Sequence, residues 1–281
     1  MARSNAYSLV LLLLYCYVSS GAAEAAAYNV AGFGAKPGGR TDSSGAFASA
    51  WSAACRSQEP ATVYVPNGHF LLSRAAFTGP CSSSRVTLQV DGTLVAPSGY
   101  TSRGGSSGGD DDGWIVFDHV DGLTVSGGTV DGRGEALWAC KAAGHSGCPS
   151  GATVSCHSTS HASFCFSEIY VHHANVRRQS LKVLNSRDVV ISGLTSVDSE
   201  LYHVVINGCE GVTVQDVQIV APGSSPNTDG IHVQGSSQVT VTRTGIQTGD
   251  DCVSVGPGTS NLRVEHVSCG PGHGIRCLVV D

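Results

Sequence analysis

The sequence predicts an all-β solenoid, in which short strands stack coil upon coil, and three observations support this fold class. Runs of β-branched residues recur at intervals of 23, 27 and 23 residues, and these runs begin at Asp188, Gly211, Gln238 and Asn261. Glycine is abundant, with 36 residues against 10 prolines, as the tight corners of a solenoid require. Helical periodicity is clear only once along the chain. An all-β sandwich would instead place strands about every 8–12 residues with no longer period.

The N-terminal segment has the features of a secretory signal peptide. Arg3 precedes an apolar run over residues 9–18, and small residues follow up to Ala27. The apolar run is too short to span a bilayer comfortably. We therefore assign residues 1–27 to a signal peptide, cut between residues 22 and 27, and expect a secreted, extracellular protein. Only Cys16 of the 11 cysteines lies in this segment, so we expect disulfides in the remainder.

Charge and composition exclude several classes of protein. Charged residues make up only 14% of the chain, and 16 Lys and Arg against 22 Asp and Glu give a net charge of −6. The negative charge argues against a nucleic-acid or anionic-membrane partner. The apolar content of 41% argues against a disordered chain. We expect a monomer with one β-solenoid domain over residues 28–275.

One short amphipathic helix is predicted near the start of this domain. Asp42 to Ser44 offer capping oxygens, and Phe47, Trp51 and Ala54 follow at helical spacing. Because the first coil of a solenoid would otherwise be open, this helix is expected to cap it.

The segment 154–179 breaks the solenoid pattern and is treated as an atypical insert. It contains four of the 11 histidines, and Cys156, His157, His161 and Cys165 are residue types that could bind zinc. Their spacing matches no structural zinc pattern, and a secreted protein usually oxidises such cysteines, so a solvated loop is favoured. The acidic run at residues 110–112, within a Gly/Ser-rich stretch, is also expected to be a solvated loop.

The polar residues with the strongest chemical meaning repeat at the interval of one coil. Asp229, the pair Asp250 and Asp251, and His273 are separated by 21 and 23 residues, so they are expected to form a column about 10 Å tall. Like charges so close raise one another's pKa, and their concentration beside glycine indicates a site. Paired carboxyl groups fit glycoside hydrolysis, with one as acid and others activating water. Calcium is the rival ligand, but His273 is not a ligand for a hard cation, so we expect no metal and no cofactor.

Several motifs in order resemble the polygalacturonases of glycoside hydrolase family 28, most closely the secreted plant members. The motifs are Phe33-Gly34-Ala35-Lys36, Asn227-Thr228-Asp229-Gly230, Gly249-Asp250-Asp251-Cys252 and Cys269-Gly270-Pro271-Gly272-His273-Gly274. The resemblance implies a right-handed parallel β-helix that hydrolyses the α-1,4-galacturonan of pectin, in the cell wall, with inversion.

The resemblance also implies a role for each residue of the column. Asp250 corresponds to the general acid, and Asp229 and Asp251 to the pair that activates water. His273 corresponds to the histidine that supports the protonation state of the acid. The structural alternative for His273 is a satisfied corner histidine.

Two further positions and one disulfide follow from the same motifs. Asn227 and Gly272 correspond to substrate-binding positions, although Asn227 could simply shape a corner. Cys252 and Cys269 correspond to a disulfide beside the site. The pairing of the other cysteines cannot be derived from their order.

The chain departs from the family pattern in two places. After Gly274-Ile275 the family continues Ser-Ile-Gly-Ser-Leu-Gly, whereas residues 276–281 form an atypical tail without the family's later Arg-x-Lys motif. We therefore expect a parallel β-helix that lacks its C-terminal coils and has little or no activity. Omission of residues 154–179 would give a more family-like junction, so both departures are expected to be intron sequence read as protein. A genuine short isoform or a decayed paralogue is the alternative.

Two other functions stay open. The chain could be a non-catalytic pectin-binding or structural wall protein, which would bind polygalacturonate without turnover. A calcium-dependent pectate lyase on the same fold is the weaker alternative, because the column offers no basic residue placed to abstract a proton.

Overall fold

A computed structural model describes residues 26–98, 113–144, 148 and 179–277, together with the backbone of residues 156–159 and 162–165. Residues 1–25, which hold most of the predicted signal peptide, lie outside this part of the chain. So do the acidic run at residues 110–112 and most of the segment 154–179. The residues of the disfavoured zinc site also lie outside, since His161 and the side chains of Cys156, His157 and Cys165 are not described.

The strands form two sheets that wrap around one interior. Sheet 1 has 14 strands: β1 (Ala26–Asn29), β2 (Gly38–Asp42), β3 (Ala61–Val65), β4 (His69–Leu71), β6 (Val86–Val90), β7 (Thr93–Val95), β9 (Leu123–Ser126), β10 (Thr129–Asp131), β14 (Arg187–Ser192), β15 (Thr195–Val197), β17 (Glu210–Gln215), β18 (Gln218–Val220), β20 (Ser237–Gln247) and β22 (Ser260–Cys269). Sheet 2 has 7 strands: β5 (Ala75–Thr78), β8 (Gly113–Asp118), β13 (Gln179–Leu184), β16 (Val204–Asn207), β19 (Ile231–Gln234), β21 (Val253–Val255) and β23 (Ile275–Cys277).

Sheet 1 covers two faces of the solenoid because its long strand β20 turns a corner. The first part of β20 pairs with β17 and its last part with β18, so the two halves of the sheet meet in one strand. Sheet 2 is the third face. The chain visits all three faces once per coil, which is the architecture of a parallel β-helix. Crossovers between parallel strands are right-handed as a rule.

The predicted register of the recurring runs is confirmed. Val189 pairs with Val212, Val212 with Val239, and Val239 with Leu262, all in parallel ladders. This is the alignment that the sequence interval predicts. The corners also repeat, because residues 185, 208, 235 and 258, one coil apart, all have positive φ.

The interior is filled by stacked aliphatic side chains. Inward positions of successive strands carry the same type of residue, so each coil packs on its neighbour. Fully buried examples are Ile191, Val214 and Val241 from sheet 1, and Val183, Ile206 and Val233 from sheet 2. Alternate residues along each strand face outwards and carry the polar groups.

The predicted capping helix is present as α1 (Ser44–Cys55). It covers the first coil by burying Phe47, Ala50, Trp51 and Ala54 against β1, β3 and β5. The ring of Trp51 lies 4.9 Å from that of Phe77 on sheet 2. The capping oxygen belongs to Asp42, whose Oδ1 accepts the Ser44 N–H at 3.0 Å.

Other elements were not predicted from the sequence. A 3₁₀ helix spans Val30–Phe33, and a second helix, α2, spans Glu135–Ala142. Strands β11 (Cys156–Thr159) and β12 (Ala162–Cys165) pair antiparallel as a hairpin inside the atypical segment. Strand β23 carries the last coil two residues into the segment expected to be an atypical tail. No helix in the described ranges is long and apolar enough to cross a membrane.

Candidate active site

The site lies where three consecutive coils enter sheet 2. Ile231 of β19 pairs with Val253 of β21, and Val253 pairs with Ile275 of β23. Asp229, Asp251 and His273 each precede one of these residues by two positions, so they occupy equivalent places on successive coils. The Gly230 N–H donates to the Asp251 carbonyl oxygen at 2.9 Å, and the Cys252 N–H to that of Gly274 at 2.8 Å. The register therefore produces the column that the spacing predicts.

Asp250 lies between Asp251 and His273. Its Oδ1 accepts the N–H of Asp251 at 2.9 Å and lies 3.3 Å from Nδ1 of His273. The His273 backbone N–H also donates to the Asp250 carbonyl oxygen at 3.0 Å. The side chain of Asp250 is 20% exposed and that of His273 is 65% exposed. The imidazole thus covers the carboxyl group from the solvent side.

Asp229 is the buried carboxyl group of the column. Burial raises its pKa to about 7; a hydrogen bond from Ser254 lowers the pKa, while the charges of Asp250 and Asp251 raise it. A carboxyl with this pKa carries a proton under mildly acidic conditions.

Asp251 is similarly buried but has a cationic partner. Burial raises the pKa of Asp251, Arg276 lowers it, and Asp250 raises it. Nη1 of Arg276 lies 3.6 Å from Oδ2 of Asp251, whose side chain is only 5% exposed. Two adjacent buried carboxyl groups therefore differ in their surroundings, since Arg276 contacts Asp251 and, among the described residues, no arginine contacts Asp229.

Three polar residues at the site were not predicted from the sequence. His232 of β19, Ser254 of β21 and Arg276 of β23 pair in register, 22 residues apart. Nδ1 of His232 lies 2.8 Å from Oγ of Ser254, and the ring of Tyr202 stacks on His232 at 5.1 Å. The common interval of 22 residues was the available signal, because it places these residues one above another.

Asn227 and Gly272 lie in the turns that shape the site. Asn227 is exposed and has a φ of 58°, a left-handed conformation that asparagine tolerates. Gly272 has a φ of 152°, and a Cβ there would meet the Asp250 carbonyl oxygen and Sγ of Cys252 at 3.0 Å. Both positions therefore have a structural role in the site, whatever their part in binding.

The disulfide between Cys252 and Cys269 implied by the resemblance is present. It joins the turn of Asp251 to the end of β22 on the next coil. Two further disulfides, Cys55–Cys81 and Cys140–Cys148, could not be derived from the order of the cysteines. Among the described cysteines, Cys209 is free and buried, and Cys277 is free and exposed.

A cation is a poor match for this site. Asp250, Asp251 and His273 hold ligand-type atoms within 4.8 Å of one another. However, Arg276 pairs with Asp251, and His273 with Asp250, so a cation would meet a guanidinium and displace both contacts. A hard cation also prefers oxygen to imidazole nitrogen.

The fold and the site together define a class. A cluster of carboxyl groups on a rigid scaffold, one of them with a strongly raised pKa, is typical of the active sites of glycoside hydrolases. The family model described as Glycosyl hydrolases family 28 matches residues 55–189 and 170–277. The chain belongs to glycoside hydrolase family 28.

Sequence relatives agree with this family. A polygalacturonase of Prunus persica is 46% identical over 273 residues, which are 97% of this chain and 61% of that protein. An exopolygalacturonase of Platanus acerifolia is 41% identical over 251 residues, 88% of this chain and 57% of that protein. The chain thus spans less than two thirds of the length of these relatives.

The solved structures share the fold at low sequence identity. An endo-xylogalacturonan hydrolase from Aspergillus tubingensis has a TM-score of 0.66 at 22% identity, covering 89% of this chain and 59% of that one. A family 28 exopolygalacturonase from Yersinia enterocolitica has a TM-score of 0.63 at 18% identity, covering 91% and 51%.

Proposed function

We propose that the protein is a polygalacturonase-like glycoside hydrolase that hydrolyses the α-1,4-galacturonan of pectin with inversion. The observation that carries this proposal is the register of sheet 2, which gathers three carboxyl groups and an imidazole in a chain of family 28. The Prunus persica relative, named as a polygalacturonase, supports the substrate class.

The proposed roles follow the contacts of each group. Asp250 donates its proton to the glycosidic oxygen as the bond from that oxygen to the anomeric carbon breaks. Asp229 and Asp251 hold a water on the opposite face of the sugar. One O–H bond of this water breaks, the proton passes to the carboxylate pair, and the oxygen bonds to the anomeric carbon. His273, 3.3 Å from Asp250, supports the protonation state of the acid.

Substrate contact and location complete the proposal. Asn227 and Gly272 bind the sugar chain next to the column, and no cofactor is needed. The protein acts as a secreted monomer in the extracellular cell wall. Its partner there is pectin, and it binds neither nucleic acid nor a membrane. This location follows from the substrate class that the names of the relatives imply, because pectin is a polymer of the plant cell wall.

Hydrolysis of polygalacturonate by the purified 281-residue chain tests the function. New reducing ends with inverted anomeric configuration in proton NMR spectra, lost in Asp250→Asn, would support the function and overturn the expectation that this chain has little or no activity. Asp216→Asn is the matched control, because Asp216 is an exposed carboxyl in the turn between β17 and β18 with its own partner, Arg243.

Two results would contradict the proposal. Binding of polygalacturonate without product would favour the non-catalytic wall protein. Unsaturated products that absorb in the ultraviolet and vanish with a chelator would favour the calcium-dependent lyase.

A further inference from the structure

The register of sheet 2 places Arg276 next to the site, on the coil that follows Asp251. It occupies the central position of β23, directly above Ser254 of β21 and His232 of β19. Ser254 bonds to the Asp229 carboxyl group and to His232, so this row of side chains faces the column. Arg276 therefore lies on the face of the sheet where the three carboxyl groups are gathered.

The two side chains in the contact between Arg276 and Asp251 differ in exposure. The arginine side chain is 61% exposed, whereas the carboxyl group that it contacts is 5% exposed. The groups that face Asp251 are Asp250 on its own turn, Asp229 on the coil below, and His273 and Arg276 on the coil above. Asp250 opposes ionisation of Asp251, whereas Arg276 and His273 favour it, and Arg276 is the neighbour whose charge does not change with pH.

We propose that Arg276 is a positioning residue that holds the Asp251 side chain ionised and oriented, so that Asp251 is the base of the site. Asp229, which contacts no guanidinium in the part of the chain that the structure describes, is then the protonated member of the pair and orients the water by hydrogen bonding. The division of roles within the pair rests on the function proposed above. The effect of Arg276 on the ionisation of Asp251 does not.

Titration of the Asp251 carboxyl carbon by NMR tests this proposal without any turnover. The chain is labelled with carbon-13 at the aspartate side-chain carboxyl, and Asp251→Asn identifies the signal. We expect Arg276→Gln to raise the titration midpoint of Asp251 by about one pH unit or more, because an opposite charge at this distance shifts a carboxyl by about 1–3 units. Arg276→Lys should restore most of the shift, since it keeps the charge.

The matched control is Arg243→Gln, which removes an exposed arginine that pairs with Asp216 on sheet 1. It should leave the midpoint of Asp251 unchanged. A midpoint of Asp251 that is the same in Arg276→Gln as in the parent chain would overturn the proposal. So would equal shifts in the Lys and Gln variants, because that result would indicate a packing role without charge.

Activity provides a second, separable readout. If polygalacturonate is hydrolysed, Arg276→Gln should move the acidic limb of the kcat profile to higher pH, and Arg276→Lys should move it back. An unmoved limb would contradict the assignment of Asp251 as the base. Absence of hydrolysis combined with a shifted NMR midpoint would reject the proposed function while supporting the control of Asp251 by Arg276.

Discussion

The buried carboxyl group of Asp229 has a pH-dependent cost in folding. The pKa of Asp229 is raised from 3.8 to about 7 in the folded chain. The unfolded chain therefore releases this proton at lower pH than the folded chain, so the free energy of unfolding is highest below about pH 4 and falls as pH rises to about 7. We expect Asp229→Asn to unfold like the parent at pH 4 and to be more stable by up to about 4 kcal/mol at pH 8, because a shift of about three pKa units is removed. Urea unfolding at a series of pH values measures this difference.

Asp216→Asn is the control of opposite sign. The hydrogen bond from Arg243 lowers the pKa of Asp216, so ionisation of this carboxyl favours folding above its unfolded pKa. The substitution is therefore expected to reduce stability slightly at pH 8. A difference between Asp229→Asn and the parent that stays constant from pH 4 to pH 8 would contradict the effect of burial on Asp229.

Residue spacing was sufficient to predict the column but not its surroundings. Asp229, Asp251 and His273 could be predicted because each follows a recognisable motif one coil from the next. Arg276 was missed because it lies in a segment that departs from the family pattern, so its register with Ser254 was not considered. Disulfide pairs such as Cys55–Cys81 depend on distances that order along the chain does not contain.

At the scale of elements, some strands and helices could be predicted from the spacing of their apolar residues and others could not. The strands of sheet 1 were predictable because their apolar residues alternate and each run recurs at the coil interval. Helix α1 was predictable from the spacing of Phe47, Trp51 and Ala54. Helix α2 was not, because its apolar positions Leu137 and Trp138 fall next to each other and define no clear helical period.

Two glycines in different elements predict opposite responses to alanine. Gly45 is an exposed residue of helix α1, and no atom lies within 4 Å of the place that a Cβ would take, so Gly45→Ala should stabilise the protein by about 0.5–1 kcal/mol. At Gly249, which precedes Asp250, a Cβ would overlap the Ser225 carbonyl oxygen. Gly249→Ala should therefore destabilise the protein by about 2 kcal/mol or more.

Guanidinium unfolding midpoints of the two variants decide this prediction. The contrast is informative because the substitution is the same in both cases and only its surroundings differ. A loss of stability in Gly45→Ala would show that α1 does not tolerate a methyl group there. An unchanged midpoint in Gly249→Ala would show that the turn before Asp250 can relax away from Ser225.

At the scale of the whole molecule, a solenoid is held by contacts between neighbouring coils, so the effect of a substitution depends on the coil that carries it. Val214, Val241 and Val264 pair in register and form one interior column of sheet 1. Val241 is fully buried, whereas Val264 on β22 is only partly buried. The same side chain therefore meets two different environments in one column.

Alanine substitutions at Val241 and Val264 measure how much each coil's packing contributes to the free energy of unfolding. Val241→Ala removes methyl groups that pack against coils on both sides, and we expect a loss of about 2 kcal/mol. Val264→Ala removes the same groups from a coil that packs closely on one side among the described strands, so about half that loss is expected. Denaturant unfolding of both variants tests this, with hydrogen exchange reporting whether β17 and β20 open before β22. Equal losses would contradict coil-by-coil stacking, because they would mean that the solenoid distributes the strain of one cavity over its whole length.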